Sequence, residues 1–167
     1  KYNRSEVYNK KIKNLSKVIS GIGFEETKTL PTIVGLCEVE NKNVVEDLIN
    51  SDLLKNANYG ISHFDSPDER GIDVALIYRK NIFKILNENS AYLELKYASG
   101  KINYTRDQLV VEGVLENEKI YIIVNHWPSR SGGELGSRPY RNKAAELNMY
   151  IIDSVSYTHL TLPTISD

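Results

Sequence analysis

The stretch GIDVALIYR, residues 71–79, decides the fold class, together with the run TIVGLCEVE at 32–40. Both runs are apolar and rich in β-branched residues, and both are too short for a helix. Runs of this kind are typical of buried strands. The polar turn SPDERG precedes the first, and acidic residues end the second. We therefore predict two buried strands at these positions, the second with Glu38 and Glu40 at its carboxyl end.

Helical and extended patterns continue on both sides of these runs. Apolar residues spaced by three to five positions predict helices, and short β-rich runs bounded by turn residues predict strands. The predicted helices are Ser5–Ile22, ended by Gly21 and Gly23, a second helix from Asn41 or Asn43 to about Leu54, and Tyr140–Val155. Further strands are predicted at Tyr59–Phe64, once or twice in Ile82–Leu95, and as a hairpin of Gln108–Leu115 with Lys119–Asn125.

Composition limits the class of protein. The chain has 167 residues, 41% hydrophobic and 26% charged, which is typical of a folded globular domain and not of a disordered or fibrous chain. The formal charge of -1 gives no general reason for nucleic-acid or membrane binding. Cys37 is the only cysteine, so an internal disulfide and a CxxC motif are excluded. No run is long enough to predict a membrane span or a signal peptide, and the cellular location stays open.

Several residues at predicted strand ends have side chains suited to catalysis. Glu38 offers the hard oxygen ligand that Mg²⁺ or Mn²⁺ prefers, although such a residue is more often a solvated turn residue. His126 stands at a strand-to-loop junction and suits a general base or a phosphate donor, but it could also be packed under Trp127. Asp73 could orient the His126 ring or cap a turn.

Four arginines lie close to these positions in the sequence, and a loop with three glycines stands among them. One guanidinium group can donate two parallel hydrogen bonds to a phosphate, so the four arginines together indicate an anion-facing surface. Each arginine alone is typical of a protein surface. The set is Arg106, Arg130, Arg138 and Arg141, with Gly132, Gly133 and Gly136 in the loop. The motifs HExxH, GxSxG and GxGxxG are absent, which argues against zinc proteases, α/β-hydrolases and dinucleotide-binding proteins.

Five blocks in order resemble the endonuclease/exonuclease/phosphatase family, to which deoxyribonuclease I belongs. The blocks are GLCEVEN (35–41), DSPDERGIDVALIYR (65–79), TRDQLVVEG (105–113), VNHWPSRSGGE (124–134) and SRPYRNKAAEL (137–147). The resemblance implies an α+β fold: a four-layered α/β sandwich with two mainly antiparallel sheets and outer helices. It covers most of the chain up to Val155.

The resemblance also implies roles for single residues. Glu38 matches the metal ligand of the family, and Cys37 replaces the usual glutamine beside it. His126 matches the histidine that contacts the scissile phosphate, and Asp73 matches the acid that holds this histidine. The remaining assignments are Asn125 as a catalytic residue and Arg106, Ser129 and Arg130 as phosphate-binding residues.

Three parts of the family pattern have no match in the chain: the opening strand with its asparagine, the GDFN strand end and the closing SDH motif. We therefore expect a domain truncated at both ends, with residues 1–155 as a partial domain and 156–167 as a non-native or disordered tail. The tail, SYTHLTLPTISD, begins where the helical period stops.

The resemblance implies a Mg²⁺-dependent phosphoester hydrolase, with Mn²⁺ as an alternative ion. A nucleic-acid phosphodiester is the first choice of substrate, and a phospholipid or a sugar phosphate is the second. No membrane span and no obligate protein partner are predicted. The fragment itself is expected to have little activity, and the alternative is an inactive homologue or fragment that serves only as a binding module.

Overall fold

The computed structural model describes residues 3–130 and 132–159, and the predicted tail, residues 156–167, lies mostly outside this part. The described part contains helices, two sheets and one short 3-10 helix at Lys55–Ala57. The helices are α1 (Arg4–Gly21), α2 (Phe24–Thr27), α3 (Lys42–Ile49) and α4 (Glu134–His159). The strands are β1 (Ile33–Val39), β2 (Tyr59–His63), β3 (Asp73–Arg79), β4 (Phe83–Ala91), β5 (Gln108–Leu115) and β6 (Glu118–Val124).

The strands form two antiparallel three-stranded sheets, in the orders β1-β3-β2 and β4-β5-β6. The α+β fold class with two antiparallel sheets is therefore confirmed. The residues fall into two compact units, the first formed by Lys1–Tyr92 and Arg106–His126, the second by Leu93–Thr105 and Trp127–Asp167. Both sheets and helices α1 to α3 belong to the first unit.

Strand β3 separates two hydrophobic clusters because its side chains alternate between the faces of the sheet. Ala75 and Ile77 face the cluster that α1 and α3 cover. Val74 and Leu76 face the second sheet, where they meet residues such as Phe83. The first unit is therefore built in three layers: helices, the first sheet and the second sheet. The predicted buried strand at 71–79 is confirmed.

Strand β1 differs from the prediction. The sequence predicts a buried strand, but of its residues only Val39 is fully buried. Within the described ranges β1 pairs with β3 alone and forms an edge of its sheet. An apolar run does not distinguish a central strand from an edge strand, because this depends on which segments pair beside it. The prediction of a strand is confirmed and the prediction of its burial is wrong.

Helices α3 and α4 also differ from their predicted bounds. Helix α3 begins after Asn41, whose Oδ1 accepts a hydrogen bond from the Val44 amide at 3.1 Å, but it ends at Ile49 and not near Leu54. Leu54 is nevertheless completely buried, because the turn that follows the helix brings it to the same core. Helix α4 begins at Glu134, before the predicted Tyr140, and ends at His159, beyond the predicted Val155, and it contains Pro139 in its second turn.

The second unit has its own small core. Leu93, Leu95 and Ala144 are buried together, and Tyr140 and Leu147 of α4 pack against them. Gly132 and Gly133 both have positive φ and form the turn that leads into α4. In the described part of the chain, no helix has the length and apolar character that a membrane span requires.

Candidate active site

Glu38 lies at an irregularity near the end of β1. The register with β3 shifts between Cys37 and Val39, so Glu38 has no partner in the ladder. Its φ is 60°, a left-handed conformation that is rare for residues other than glycine. Such a bulge turns a side chain away from the regular strand direction, and bulges of this kind occur often beside active sites. The Glu38 side chain is 65% exposed.

His126 follows β6 and approaches this carboxylate. Its Nε2 lies 3.9 Å from Oε1 of Glu38. The two strand ends are brought together by contacts between the sheets: Cys37 Sγ donates a weak hydrogen bond to the Asn125 carbonyl at 3.7 Å. The predicted proximity of Glu38 and His126 is confirmed, and their roles stay predictions.

The environment of His126 favours the neutral imidazole. Partial burial lowers the pKa of His126, and the positive charge of Arg106 lowers it further, whereas Glu38 acts in the opposite direction. Nδ1 of His126 is buried and has no hydrogen-bond partner among the described residues. At neutral pH the ring is therefore uncharged and can accept or donate a proton at Nε2.

Arg106 is buried and contacts the backbone of His126. Its side chain is 7% exposed, its Nη1 donates to Asp68 Oδ2 at 3.1 Å, and its Nη2 donates to the His126 carbonyl at 2.6 Å. The sequence predicts a phosphate-binding role for Arg106. In the structure these two nitrogens hold protein oxygens, and the contact with phosphate stays a prediction.

Asp68 is a residue that the sequence analysis missed. It lies in the β2–β3 loop, and its Oδ1 accepts hydrogen bonds from the backbone amide and Nε of Arg70. Burial raises the pKa of Asp68, but the hydrogen bonds from Arg106 and Arg70 outweigh burial, so the pKa is lower than usual. The only signal in the sequence is an acid two residues before an arginine within SPDERG, a segment that by itself predicts only a polar turn.

Asp73 holds a different histidine from the one predicted. Its Oδ2 lies 3.0 Å from Nε2 of His63, and its Oδ1 accepts hydrogen bonds from the amide and hydroxyl of Ser66 at 2.9 and 2.6 Å. The predicted pairing of Asp73 with His126 is therefore wrong. The reason is the register of β2 with β3, which places His63 opposite Ala75 and thus diagonally across from Asp73. A catalytic role of Asp73 stays a prediction.

His63, Asp65 and Asp73 together form a group with the donor types of a metal site. One ligand atom of each lies within 4.8 Å of the others. His63 and Asp73 are almost fully buried, and Asp65 is exposed. The carboxylate oxygens suit Mg²⁺ and Mn²⁺, whereas the imidazole nitrogen is typical of transition ions and not of Mg²⁺.

The other predicted site residues are distributed over both units. Asn125 directly precedes His126 in the first unit, and its backbone carbonyl accepts the Cys37 hydrogen bond. Ser129 and Arg130 belong to the second unit, in the segment before α4. The proposed catalytic role of Asn125 and the phosphate-binding roles of Ser129 and Arg130 stay predictions.

Comparisons with known proteins agree with this fold. Residues 1–160 match the family model described as "Endonuclease/Exonuclease/phosphatase family". The comparison with curated protein sequences gives no significant match.

Three solved structures illustrate the similarity of fold. An endonuclease/exonuclease/phosphatase from Bacteroides vulgatus matches 84% of this chain with 17% identity and a TM-score of 0.57. The human nocturnin catalytic domain with bound sulfate also matches 84%, with 18% identity and a TM-score of 0.54. A family protein from Leptotrichia buccalis C-1013-b matches 75%, with 19% identity and a TM-score of 0.50. The matches cover 52%, 52% and 50% of those chains, so this chain spans about half of their length.

Proposed function

The chain belongs to the endonuclease/exonuclease/phosphatase family, and we propose that it carries part of the active site of a Mg²⁺-dependent phosphoester hydrolase. The family name itself denotes enzymes that cleave phosphate esters. The observation that carries the proposal is the approach of His126 Nε2 to the Glu38 carboxylate at 3.9 Å. The groups proposed for proton transfer and for metal binding therefore lie side by side.

The donor set fits a divalent cation. Glu38 is the proposed ligand, because its carboxylate is exposed at a strained bulge and points away from the core. His63, Asp65 and Asp73 offer a second set of suitable donors. When bound, Mg²⁺ or Mn²⁺ neutralises charge on the phosphoryl oxygens of a substrate.

The residues of the chain have separate proposed roles in the reaction. His126 donates a hydrogen bond from Nε2 to the phosphoryl group or accepts a proton there, both of which require a group within hydrogen-bond reach of the phosphate. Asn125 is proposed to act beside it. Ser129 and Arg130, in the second unit, are proposed as phosphate-binding residues that act through a hydroxyl and a guanidinium group.

For the substrate we propose a phosphodiester of the kind found in nucleic acids, with phosphomonoesters as the alternative. The formal charge of -1 indicates that any contact with a nucleic-acid backbone depends on a local cluster of basic residues. A fold of this type does not determine the substrate, because loops and pocket shape do so.

A substrate panel tests the proposal. The complete gene product is incubated with Mg²⁺ and a single-stranded DNA oligonucleotide, a phospholipid and a sugar phosphate, and each product is quantified. We expect Mg²⁺-dependent release from at least one phosphate ester, with the oligonucleotide cleaved fastest. Absence of turnover on all three substrates with either Mg²⁺ or Mn²⁺ contradicts the proposal and favours a binding module.

A further inference from the structure

A buried ion pair joins the β2–β3 loop to the segment before β5. Asp68 and Arg106 have side chains that are 3% and 7% exposed, and their charged atoms lie 3.1 Å apart. Removing two charges from water is costly, and a buried pair often adds little net stability. The pair therefore calls for a second explanation, which is that it holds one local conformation in preference to others.

The same guanidinium reaches the backbone of His126. Nη2 of Arg106 donates to the His126 carbonyl at 2.6 Å, a short hydrogen bond from a charged donor. Histidines in active sites are usually oriented by a hydrogen bond at the second ring nitrogen. Nδ1 of His126 has no such partner within the described part of the chain. Orientation of the ring must then come from its backbone and its packing.

We propose that Arg106, itself fixed by Asp68, is a positioning residue that holds the backbone of His126 and thereby directs its Nε2 toward Glu38. The catalytic consequence rests on the proposed function, whereas the structural part does not. Two different nitrogens of the planar guanidinium, Nη1 and Nη2, bind the carboxylate and the carbonyl, and the single Nζ of a lysine does not reproduce this arrangement. Asp68 contributes by fixing the direction of the guanidinium.

Arg70 provides a matched control. Its Nε also binds Asp68, on the other carboxylate oxygen at 3.3 Å, but its side chain is 57% exposed. Arg70→Ala removes one arginine from the same aspartate and leaves the donor to the His126 carbonyl in place. Arg106→Lys removes the guanidinium group with its two donor nitrogens, and Asp68→Asn removes the negative charge that binds Nη1.

The test combines hydrogen exchange with kinetics on the complete gene product. In Arg106→Lys and Asp68→Asn, backbone amides in the peptide covering 122–128 are expected to exchange at least about tenfold faster than in the unmodified protein. The kcat for hydrolysis of the oligonucleotide is expected to fall roughly 10²-fold. KM and inhibition by inorganic phosphate are expected to change less than about twofold, because a positioning residue binds protein oxygens and not the substrate phosphate. Arg70→Ala is expected to change none of these quantities.

The exchange rates and the kinetic constants together decide whether Arg106 positions His126. Unchanged exchange in both Arg106→Lys and Asp68→Asn overturns the proposal, and so does a raised KM with unchanged kcat, which is the result expected for an arginine that binds substrate phosphate. Thermal unfolding of each variant shows that it is folded, and if one variant does not fold, the other decides. If the unmodified protein hydrolyses no phosphate ester, the proposed function fails, and the exchange measurement still decides whether Arg106 positions His126.

Discussion

Nε2 of His126 lies 3.9 Å from Oε1 of Glu38, although the two residues stand at the ends of strands in different sheets. The contact depends on packing between the sheets. Near it, a Cβ added to Gly35 of β1 would lie 3.4 Å from Val124 of β6, so the two strands approach closely. The candidate site is therefore positioned by the core of the first unit and not by a single loop.

Replacing His126 by alanine separates a catalytic role from a packing role. If Nε2 donates a hydrogen bond to the scissile phosphate or exchanges a proton with it, His126→Ala lowers kcat by roughly 10² or more. The melting temperature is expected to change little, because the residue lies at a strand-to-loop junction. The measurement is kcat and thermal unfolding on the same preparation. A lower melting temperature with an unchanged kcat per folded molecule shows instead that His126 is only a packed side chain.

The proximity of Glu38 and His126 could be predicted from sequence because each residue ends an apolar run and each belongs to a family block. The hydrogen-bond partners of His126 and Asp73 could not be predicted from the sequence. Register decides that His63 lies near Asp73, and a tertiary contact decides that Arg106 reaches the His126 carbonyl. Neither is visible in local patterns, since the residues involved lie on separate elements.

We expect the loss of stability at acidic pH to depend on Asp68. Its pKa is lowered in the folded protein, so its contribution to the free energy of unfolding is complete above the ordinary aspartate value of about 3.9 and is lost as pH falls through the lower folded value. We therefore expect the melting temperature to fall with acidification in that window, and Asp68→Asn to reduce this dependence.

Asp52→Asn is the matched control for this dependence of the melting temperature on pH. Lys55 also lowers the pKa of Asp52, through a hydrogen bond, but the Asp52 side chain is 94% exposed and its ion pair is screened by solvent. The slope of melting temperature against pH is expected to stay as in the unmodified protein. Equal slopes in all three proteins contradict the role given to Asp68.

Gly113 in β5 marks a close approach between strands. A Cβ at this position would clash with the Phe83 ring and would lie 2.7 Å from the Lys84 carbonyl. Phe83 is completely buried, so the ring has little room to move. Gly113→Ala is expected to lower the free energy of unfolding by about 1–3 kcal/mol in urea denaturation. Gly21→Ala, with nothing within 4 Å of the added Cβ, is expected to cause no loss. A fully stable Gly113→Ala variant contradicts this packing.

The two apolar runs at 71–79 and 32–40 look alike in sequence but end in different environments. Residues 73–77 of β3 are all buried between two layers, whereas β1 forms a sheet edge in the described structure. Periodicity predicts a strand in both cases, since it reports local geometry alone. The number of neighbours that a strand has is a property of the whole sheet, and an edge is not encoded in the strand itself.

The 167-residue chain by itself is expected to associate and to hydrolyse little substrate. Among the residues that the structure describes, strand β1 has an unpaired edge, and α1 exposes apolar side chains such as Val7 and Val18, which favours contacts with other chains. Size-exclusion chromatography with light scattering and a Mg²⁺-dependent turnover assay measure the two properties. A monomer with a sharp thermal transition and measurable Mg²⁺-dependent turnover shows that this expectation is wrong.

The most direct test of the proposed metal-dependent hydrolysis is its dependence on Glu38. The rate of oligonucleotide cleavage by the complete gene product is measured against Mg²⁺ concentration for the unmodified protein, Glu38→Gln and the control Glu40→Gln, which changes the next acid along the chain. We predict no cleavage without Mg²⁺ or Mn²⁺, and a loss of at least about tenfold in rate or in apparent metal affinity for Glu38→Gln only. Cleavage that persists in a chelator, or a Glu38→Gln variant that matches the unmodified protein at every Mg²⁺ concentration, contradicts the proposed metal site at Glu38.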